Sequence, residues 1–182
     1  MSTSRRSPRL SPLGAVVRGL AAGALGTIAM DLVWFARYKR AGGEQGFLAW
    51  ETAAIVQNWD DVSAPGKVGH RLAEAFLQRD IPDRWARPTT NVVHWAYGIG
   101  WGAQYGVVAG SLRRVRWWSG IAFASIVWLS DYVVLPLAKV YRPLWEYDAK
   151  TLADDYSAHV VYGTTTSVAF AVLGRVGARD PR

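Results

Sequence analysis

The sequence predicts an all-α membrane protein, a bundle of four transmembrane helices forming a single domain over residues 1–182. Three observations support this fold class. Four apolar stretches approach the roughly 20 helical residues that cross a hydrocarbon core. Ten Trp and eight Tyr are many for this length, and their amphipathic rings favour the level of the lipid headgroups. Positive side chains stand beside the apolar stretches rather than along one polar face.

The predicted spans cover residues 13–36, 91–112, 117–138 and 158–174. The first two are separated by a long outer loop, residues 37–90.

Two short amphipathic helices are expected inside this outer loop. Apolar side chains between residues 47 and 59 predict the first. Ser63 and Pro65 are typical of a helix start, and Val68, Leu72 and Phe76 then form one apolar stripe. We expect both helices to lie on the membrane surface or to cap the bundle, although a plain connector is the alternative.

Arginines beside the spans predict their orientation, because short cytoplasmic segments carry an excess of Lys and Arg. Both termini are therefore expected in the cytoplasm and the protein in the cell inner membrane, as a multi-pass protein. The cluster around Arg37 argues for the opposite orientation, but it opens a loop rich in acidic residues. The arginines that set the prediction are Arg5, Arg6, Arg9, Arg113, Arg114, Arg116, Arg175, Arg179 and Arg182.

Composition excludes several classes of function. The chain has no cysteine, which rules out disulfides, thiolate metal sites and cysteine nucleophiles. It also lacks a P-loop, a G-x-S-x-G elbow, an H-E-x-x-H motif and a dinucleotide fingerprint, so nothing in it supports a nucleotide-driven pump. Whether the protein is an enzyme stays open, and a non-enzymatic role is favoured. The net charge of +7 is interpreted as a topology signal, which leaves the lipid bilayer as the expected partner and no nucleic acid. A homo-oligomer stays open.

The spans contain an apparent tandem repeat of two helices each. The order Asp, Trp-Glu, His-x-x-Tyr-Gly occurs twice, and the first copy carries the long outer loop. Two-span repeats keep the same orientation, so the halves would be related by a pseudo-twofold axis along the membrane normal. Chance matching of so few positions is the alternative. The matched residues are Asp31 and Asp131, Trp50-Glu51 and Trp145-Glu146, His94 and His159, Tyr97 and Tyr162, and Gly98 and Gly163.

Glycines recur at every fourth position and so share one helix face. Small residues let membrane helices approach closely, which predicts helix packing, whereas a ligand or ion path along the glycine face is the alternative. In either case this face directs the histidines and Asp31 toward the bundle interior. The glycines are Gly19, Gly23, Gly98, Gly102, Gly106, Gly110 and Gly163.

Ionisable residues inside the spans are the candidate functional residues, because a charged group in hydrocarbon is costly. We expect Asp31, His94, Asp131 and His159 to converge in the outer leaflet. Asp155 stands one helical turn before His159 and is a further ligand candidate. Above the cluster we expect Glu51 and Glu146.

Three functions use such a cluster. Proton or small-cation handling is favoured, because His and a desolvated carboxylate titrate near neutrality. A membrane-embedded enzyme with a divalent zinc, manganese or iron ion is the first alternative, because imidazole and carboxylate ligands suit these metals. A purely structural or interaction protein, in which each Asp and His only pairs with a neighbour, is the second.

Several segments resemble the YagU-like family of small, uncharacterised bacterial inner-membrane proteins. They are the stretch from His94 to Tyr105-Gly106, the entry to the third span at Trp118 to Gly120, Pro136, and Pro143-Leu144-Trp145-Glu146 leading to His159. The resemblance covers roughly the C-terminal half. It implies a multi-pass inner-membrane protein without an assigned reaction and transfers no catalytic residue.

Overall fold

The computed structural model describes residues 11–112 and 118–176, and this part of the chain is helical without a strand. Two 3₁₀ turns, Asp83–Trp85 and Leu144–Glu146, stand before the second and the fourth of the long helices. In chain order the α-helices are α1 (Pro12–Arg40), α2 (Phe47–Glu51), α3 (Ala64–Leu77), α4 (Ala86–Ser111), α5 (Ser119–Leu137) and α6 (Ala149–Val176).

The four long helices form an up-and-down bundle. α1 packs along both α4 and α6, and α6 also packs along α5. Neighbours run antiparallel: Gly19 of α1 lies against Gly106 of α4, and Asp31 further along α1 lies against His94 earlier in α4. α3 packs on the first turns of α4, where its Gly69 meets the side chain of Thr89.

The inner face of α1 is built from small residues and its outer face from large apolar ones. Along α1, Ala22 and Thr27 are buried, whereas Leu25, Ile28 and Leu32 are exposed. This distribution is the reverse of a water-soluble helix, which turns its large apolar side chains inward.

Two of the four predicted spans meet the length and hydropathy needed to cross a membrane, in the described part of the chain. They are α1 (Pro12–Arg40) and α5 (Ser119–Leu137). α4 and α6 are long enough but less apolar, because glycine, threonine, tyrosine and histidine take many of their positions. Length and composition therefore support a membrane protein without establishing four spans.

The helix bounds differ most from the predicted spans at α6, which begins at Ala149 rather than at residue 158. Asp148 caps this start: its Oδ1 accepts a hydrogen bond of 3.0 Å from the Thr151 backbone N–H. The first turns of α6 are polar, with Lys150 and Asp154 forming an ion pair. Hydropathy marked only the apolar part of the helix, whereas capping decides where it starts.

The outer loop contains the second predicted amphipathic helix, α3, with Ser63 at its N-cap position and Pro65 in its first turn. The first is shorter than predicted, because α2 covers only Phe47–Glu51 and Ala53 has a positive φ of 48°. The predicted start of the third span at residue 117 lies outside the described residues, and so do the orienting arginines other than Arg175: Arg5, Arg6, Arg9, Arg113, Arg114, Arg116, Arg179 and Arg182.

Candidate functional site

A buried carboxylate–imidazole pair joins α1 to α4. Asp31 is 3% exposed, and its Oδ2 lies 2.9 Å from Nε2 of His94. One turn below, α1 and α4 are in close contact, because a Cβ atom on Gly98 would collide with Thr27 Oγ1. The absence of a side chain at Gly98 thus lets the two helices approach and brings Asp31 and His94 together.

Glu51 joins this pair from the outer loop. Aromatic packing folds α2 back onto α1: the Phe35 ring centroid lies 5.2 Å from that of Phe47 and 5.5 Å from that of Trp50. Glu51 follows Trp50 directly, and one ligand atom each of Asp31, Glu51 and His94 all lie within 4.8 Å of one another. We call these three residues the first cluster. In residues 11–112 and 118–176 they are the one group of three such side chains with this convergence.

The first cluster has few hydrogen-bond donors. Besides His94, the Trp95 side chain donates a hydrogen bond to the Glu51 carboxylate. Oε1 of Glu51 is buried and has no hydrogen-bond partner among the described residues. Burial raises the pKa of Glu51, and the neighbouring Asp31 carboxylate raises it further, while His94 acts in the opposite direction. Two carboxylates therefore face one imidazole, an arrangement that favours uptake of a proton or a metal cation.

An open pocket of about 530 Å³ adjoins the first cluster. Asp31 and His94 form part of its wall, together with Trp34, Arg37, Tyr38, Ala41, Trp50, Ser63 and Pro65. Arg37 is already engaged, since its guanidinium donates to the Asp154 carbonyl oxygen at 2.7 Å and to Ser157 Oγ at 2.8 Å. The pocket thus gives access to the cluster, and the arginine in its wall is paired with Asp154, whose Oδ1 lies 3.9 Å from the guanidinium.

Below the first cluster the interface between α1 and α4 is closed. A Cβ atom on Gly23 would lie 2.8 Å from Gly102 Cα, and one on Gly106 would lie 2.8 Å from Gly19 Cα. Such backbone contact leaves no room for an ion along this interface. This interface therefore offers no path from the first cluster toward the opposite ends of α1 and α4.

A second cluster joins α5 to α6 through Asp131 and His159. Nε2 of His159 lies 3.2 Å from Asp131 Oδ2, and Nδ1 lies 2.9 Å from the Asp155 carbonyl oxygen. Tyr97 of α4 donates a short hydrogen bond to Asp131 Oδ1. Each polar atom of the Asp131–His159 pair is therefore matched by a partner.

The Asp155 carboxylate belongs to the same network. Its Oδ2 accepts hydrogen bonds from Trp128 Nε1 at 3.1 Å and from the Tyr132 hydroxyl at 3.0 Å. Its Oδ1 lies 3.5 Å from His159 Nδ1. We call Asp131, Asp155, His159 and Tyr97 the second cluster.

Six of the seven predicted ionisable site residues lie in these two clusters. The prediction that the duplicated Asp and His converge is wrong, because α1 pairs with α4 and α5 with α6, so each Asp meets one His in a separate cluster. Glu51 lies beside the Asp31–His94 pair, whereas its predicted counterpart Glu146 is exposed in the second 3₁₀ turn. Sequence reasoning missed the tyrosine donor of the second cluster. The signal was present, because Tyr97 is part of the duplicated His-x-x-Tyr-Gly motif.

The predicted glycines lie at the helix interfaces. Gly19 and Gly23 of α1 pack against Gly98, Gly102 and Gly106 of α4. Further along α4, Gly110 faces the Ala15 side chain, and Gly163 of α6 faces Gly120 and Ala124 of α5. The first pair of helices is thus joined by a longer series of glycine contacts than the second.

Comparison with known proteins identifies one similarity. Residues 80–168 match a family model described as "Protein of unknown function (DUF1440)". No curated protein and no solved structure matches the chain. The matched segment includes α4, α5 and most of α6, and therefore His94 and the second cluster, but it excludes Asp31 and Glu51. This match agrees with a resemblance to an uncharacterised family.

Proposed function

We propose that the chain is a multi-pass membrane protein in which α1, α4, α5 and α6 all span the bilayer. The support comes from their outer faces. α4 exposes Val107 and Val108, and α6 exposes Val168 and Val172, although α1 and α5 are the helices that meet the hydropathy needed to cross a membrane. Large apolar side chains outside and small ones inside are typical of helices packed in lipid.

The proposed location is a bacterial inner membrane with both termini in the cytoplasm, in keeping with the resemblance to the YagU-like family. The first cluster and its pocket then face the outer side. Accessibility labelling in cells tests this orientation, using Ser63→Cys and Ser111→Cys in the cysteine-free chain; both serines are exposed. We expect an impermeant reagent to label position 63 and not position 111. The reverse labelling would contradict the orientation.

The proposed activity is binding and exchange of a small cation, a proton or a metal ion, at the first cluster. The observation that carries it is the convergence of Asp31, Glu51 and His94 beside an open pocket, with a buried oxygen of Glu51 unpartnered. A purely structural cluster would resemble the second one, where donors satisfy the carboxylates.

Exchange with one side of the membrane fits this geometry better than conduction across it. The α1–α4 interface below the first cluster is filled by backbone contacts. Below the second cluster the rings of Tyr105, Phe123 and Tyr162 fill the interior, with centroids 4.8 and 5.8 Å apart. Neither of these two routes offers a continuous path through the bundle.

Thermal unfolding in mild detergent tests cation binding, because an ion that binds only the folded state raises the midpoint. The wild-type chain would be compared with Glu51→Gln and with the matched control Glu146→Gln, over pH 5–8 and with sodium, magnesium, manganese or zinc. We expect at least one cation to change the midpoint of the wild type and the control, and this response to be lost in Glu51→Gln. Identical responses in all three proteins would refute the proposal.

A membrane-embedded metal-dependent enzyme is the second candidate, because the pocket of about 530 Å³ has room for a small substrate next to the ligand atoms. Its aromatic walls, Trp34, Tyr38 and Trp50, would hold the apolar part of such a substrate.

A further inference from the structure

We infer that Asp31, Glu51 and His94 form a binding site for one divalent transition-metal ion, with a coordination position open to the pocket. This inference rests on the proposed cation-binding function and identifies the class of cation. It is argued from the ligand atoms, their charge, and the contrast with the second cluster.

The donor set distinguishes a transition metal from other cations. One imidazole nitrogen with two carboxylates suits zinc, manganese or ferrous iron, whereas magnesium and calcium prefer oxygen ligands alone. Three protein ligands with a fourth position left free is the arrangement of catalytic and exchangeable zinc sites. Here the free position would face the pocket, whose wall contains both Asp31 and His94.

Forming the site requires the ligand atoms to move together by about 1 Å. In a tetrahedral site, ligand atoms at about 2.0–2.2 Å from the ion lie about 3.3–3.6 Å apart, whereas the three ligand atoms lie within 4.8 Å of one another in the structure. Asp31 and His94 are fixed by α1 and α4. Glu51 ends the five-residue helix α2, so it is the ligand whose movement costs least.

The charge of the first cluster also matches a divalent ion. A metal ion binds deprotonated carboxylates and a neutral imidazole, and in that state the three ligands carry two negative charges. Arg37, which lines the same pocket, is paired with another carboxylate, since its guanidinium lies 3.9 Å from Asp154 Oδ1. A bound metal ion would neutralise the negative charge of the two carboxylates. It would also give Oε1 of Glu51 the partner that this atom lacks among the described residues.

The second cluster has the same residue types but its donor atoms are occupied. Tyr97 donates to Asp131, Trp128 and Tyr132 donate to Asp155, and Nδ1 of His159 lies against a backbone carbonyl oxygen. A metal ion there would have to displace these hydrogen bonds. The inference therefore assigns one metal ion per chain, not two.

Metal stoichiometry tests this assignment directly. The full-length chain, purified in mild detergent without a histidine tag, would be stripped with EDTA and equilibrated by dialysis against zinc or manganese. Elemental analysis of the protein compartment should give close to one ion per chain. We expect Glu51→Gln and His94→Gln to weaken binding by at least about 100-fold, since loss of an outer-shell partner alone costs about 10–100-fold.

Three matched variants control for other sites. Asp131→Asn tests the second cluster, Glu146→Gln tests the repeat-related glutamate, and His70→Gln tests the partly exposed pair in which His70 Nε2 lies 3.3 Å from Glu74 Oε1. We expect all three to keep one ion. Glu51→Gln changes a residue outside the long helices, and its elution profile and unfolding midpoint would show that it folds.

Two outcomes would overturn the metal assignment. One is a wild-type chain that retains no metal, and the other is unchanged binding in both Glu51→Gln and His94→Gln. If the wild type retains no metal but its midpoint still responds to pH through Glu51, the proposed cation function survives with the proton as its cation. If Glu51→Gln changes neither metal binding nor the pH dependence of the unfolding midpoint, both the metal site and the proposed cation function are contradicted.

Discussion

The two halves of the bundle contain the same carboxylate–imidazole pair in different surroundings. In the α1–α4 half, Asp31 and His94 are joined by Glu51 and open to a pocket. In the α5–α6 half, Asp131 and His159 are enclosed by hydrogen-bond donors. We infer from this comparison that the donors around an Asp–His pair, rather than its own two residues, decide whether the pair can act as a ligand site.

The difference arises because the two tyrosines of the duplicated motif donate to different acceptors. Tyr97 of the first half reaches across to Asp131, but its counterpart Tyr162 donates at 2.6 Å to the Gly98 carbonyl oxygen instead. Asp31 thus has no matching tyrosine, and the loop present only in the first half delivers Glu51 there. The carboxylate of the first pair therefore has a second acceptor, Glu51, where the carboxylate of the second pair has a tyrosine donor.

The largest effect is expected at the glycine interface that holds the first cluster together. A Cβ atom in Gly102→Ala would meet backbone atoms of the facing helix, including Gly23 N at 2.7 Å. Backbone cannot move aside, so we expect destabilisation of about 1–3 kcal/mol or more, together with loss of cation binding. Thermal unfolding would measure this. Gly100→Ala on the same helix is the control, since nothing lies within 4 Å there, and it should be neutral or stabilising.

The carboxylates of the two pairs should respond differently to neutralisation. Asp131→Asn leaves the Tyr97 hydroxyl and His159 with a poorer acceptor, and we expect a loss of about 1–3 kcal/mol in the free energy of unfolding. Asp31→Asn also relieves repulsion from Glu51, so its cost in metal-free protein should be smaller, but it should abolish the cation response. Chemical or thermal unfolding of both variants decides this. If Asp31→Asn and Asp131→Asn lowered the free energy of unfolding equally, the proposed distinction between a ligand-binding pair and a structural pair would be contradicted.

A smaller effect is expected from Tyr97→Phe, which makes the second pair resemble the first. Asp131 loses its tyrosine donor, and we expect destabilisation of about 0.5–1.5 kcal/mol. A double-mutant cycle with Asp131→Asn measures the coupling between the two residues. Strictly additive effects would mean that this hydrogen bond contributes nothing to the second cluster.

The smallest effect is expected from Glu51→Gln in metal-free protein, and its pH dependence carries the information. The pKa of Glu51 is raised above its ordinary value of 4.5 by burial and by Asp31, with His94 opposing. Between the ordinary pKa of Glu51 in the unfolded chain and its raised pKa in the folded chain, the folded chain holds a proton that the unfolded chain has released. The free energy of unfolding therefore falls as pH rises through this range. Above this range Glu51 is ionised in both states, and the full cost of burying its charge beside Asp31 is subtracted from the free energy of unfolding.

Glu51→Gln removes this penalty. Its unfolding midpoint in EDTA should therefore exceed that of the wild type at pH 7–8, and the two should converge near pH 4. Glu146→Gln, which changes an exposed glutamate, should follow the wild type throughout. A Glu51→Gln variant that is less stable than the wild type at pH 8 would contradict this prediction.

The sequence predicted the helical class and the place of each long helix, because apolar stretches of this length have few alternatives. It was less accurate where a helix extends beyond its apolar part: the start of α6 at Ala149 depends on the Asp148 cap, which hydropathy does not detect. It also predicted α3 from Ser63 and Pro65, which are local start signals.

Of the candidate site, the sequence by itself determined the duplicated Asp and His and the glycines that direct them inward, because helical spacing fixes which residues share a face. Only the tertiary structure decided that Glu51 and not Glu146 joins a pair, and that Tyr97 and not Tyr162 supplies a carboxylate donor. These choices depend on how far one helix is displaced along another and where a loop folds back, and both are set by contacts between residues far apart in the chain.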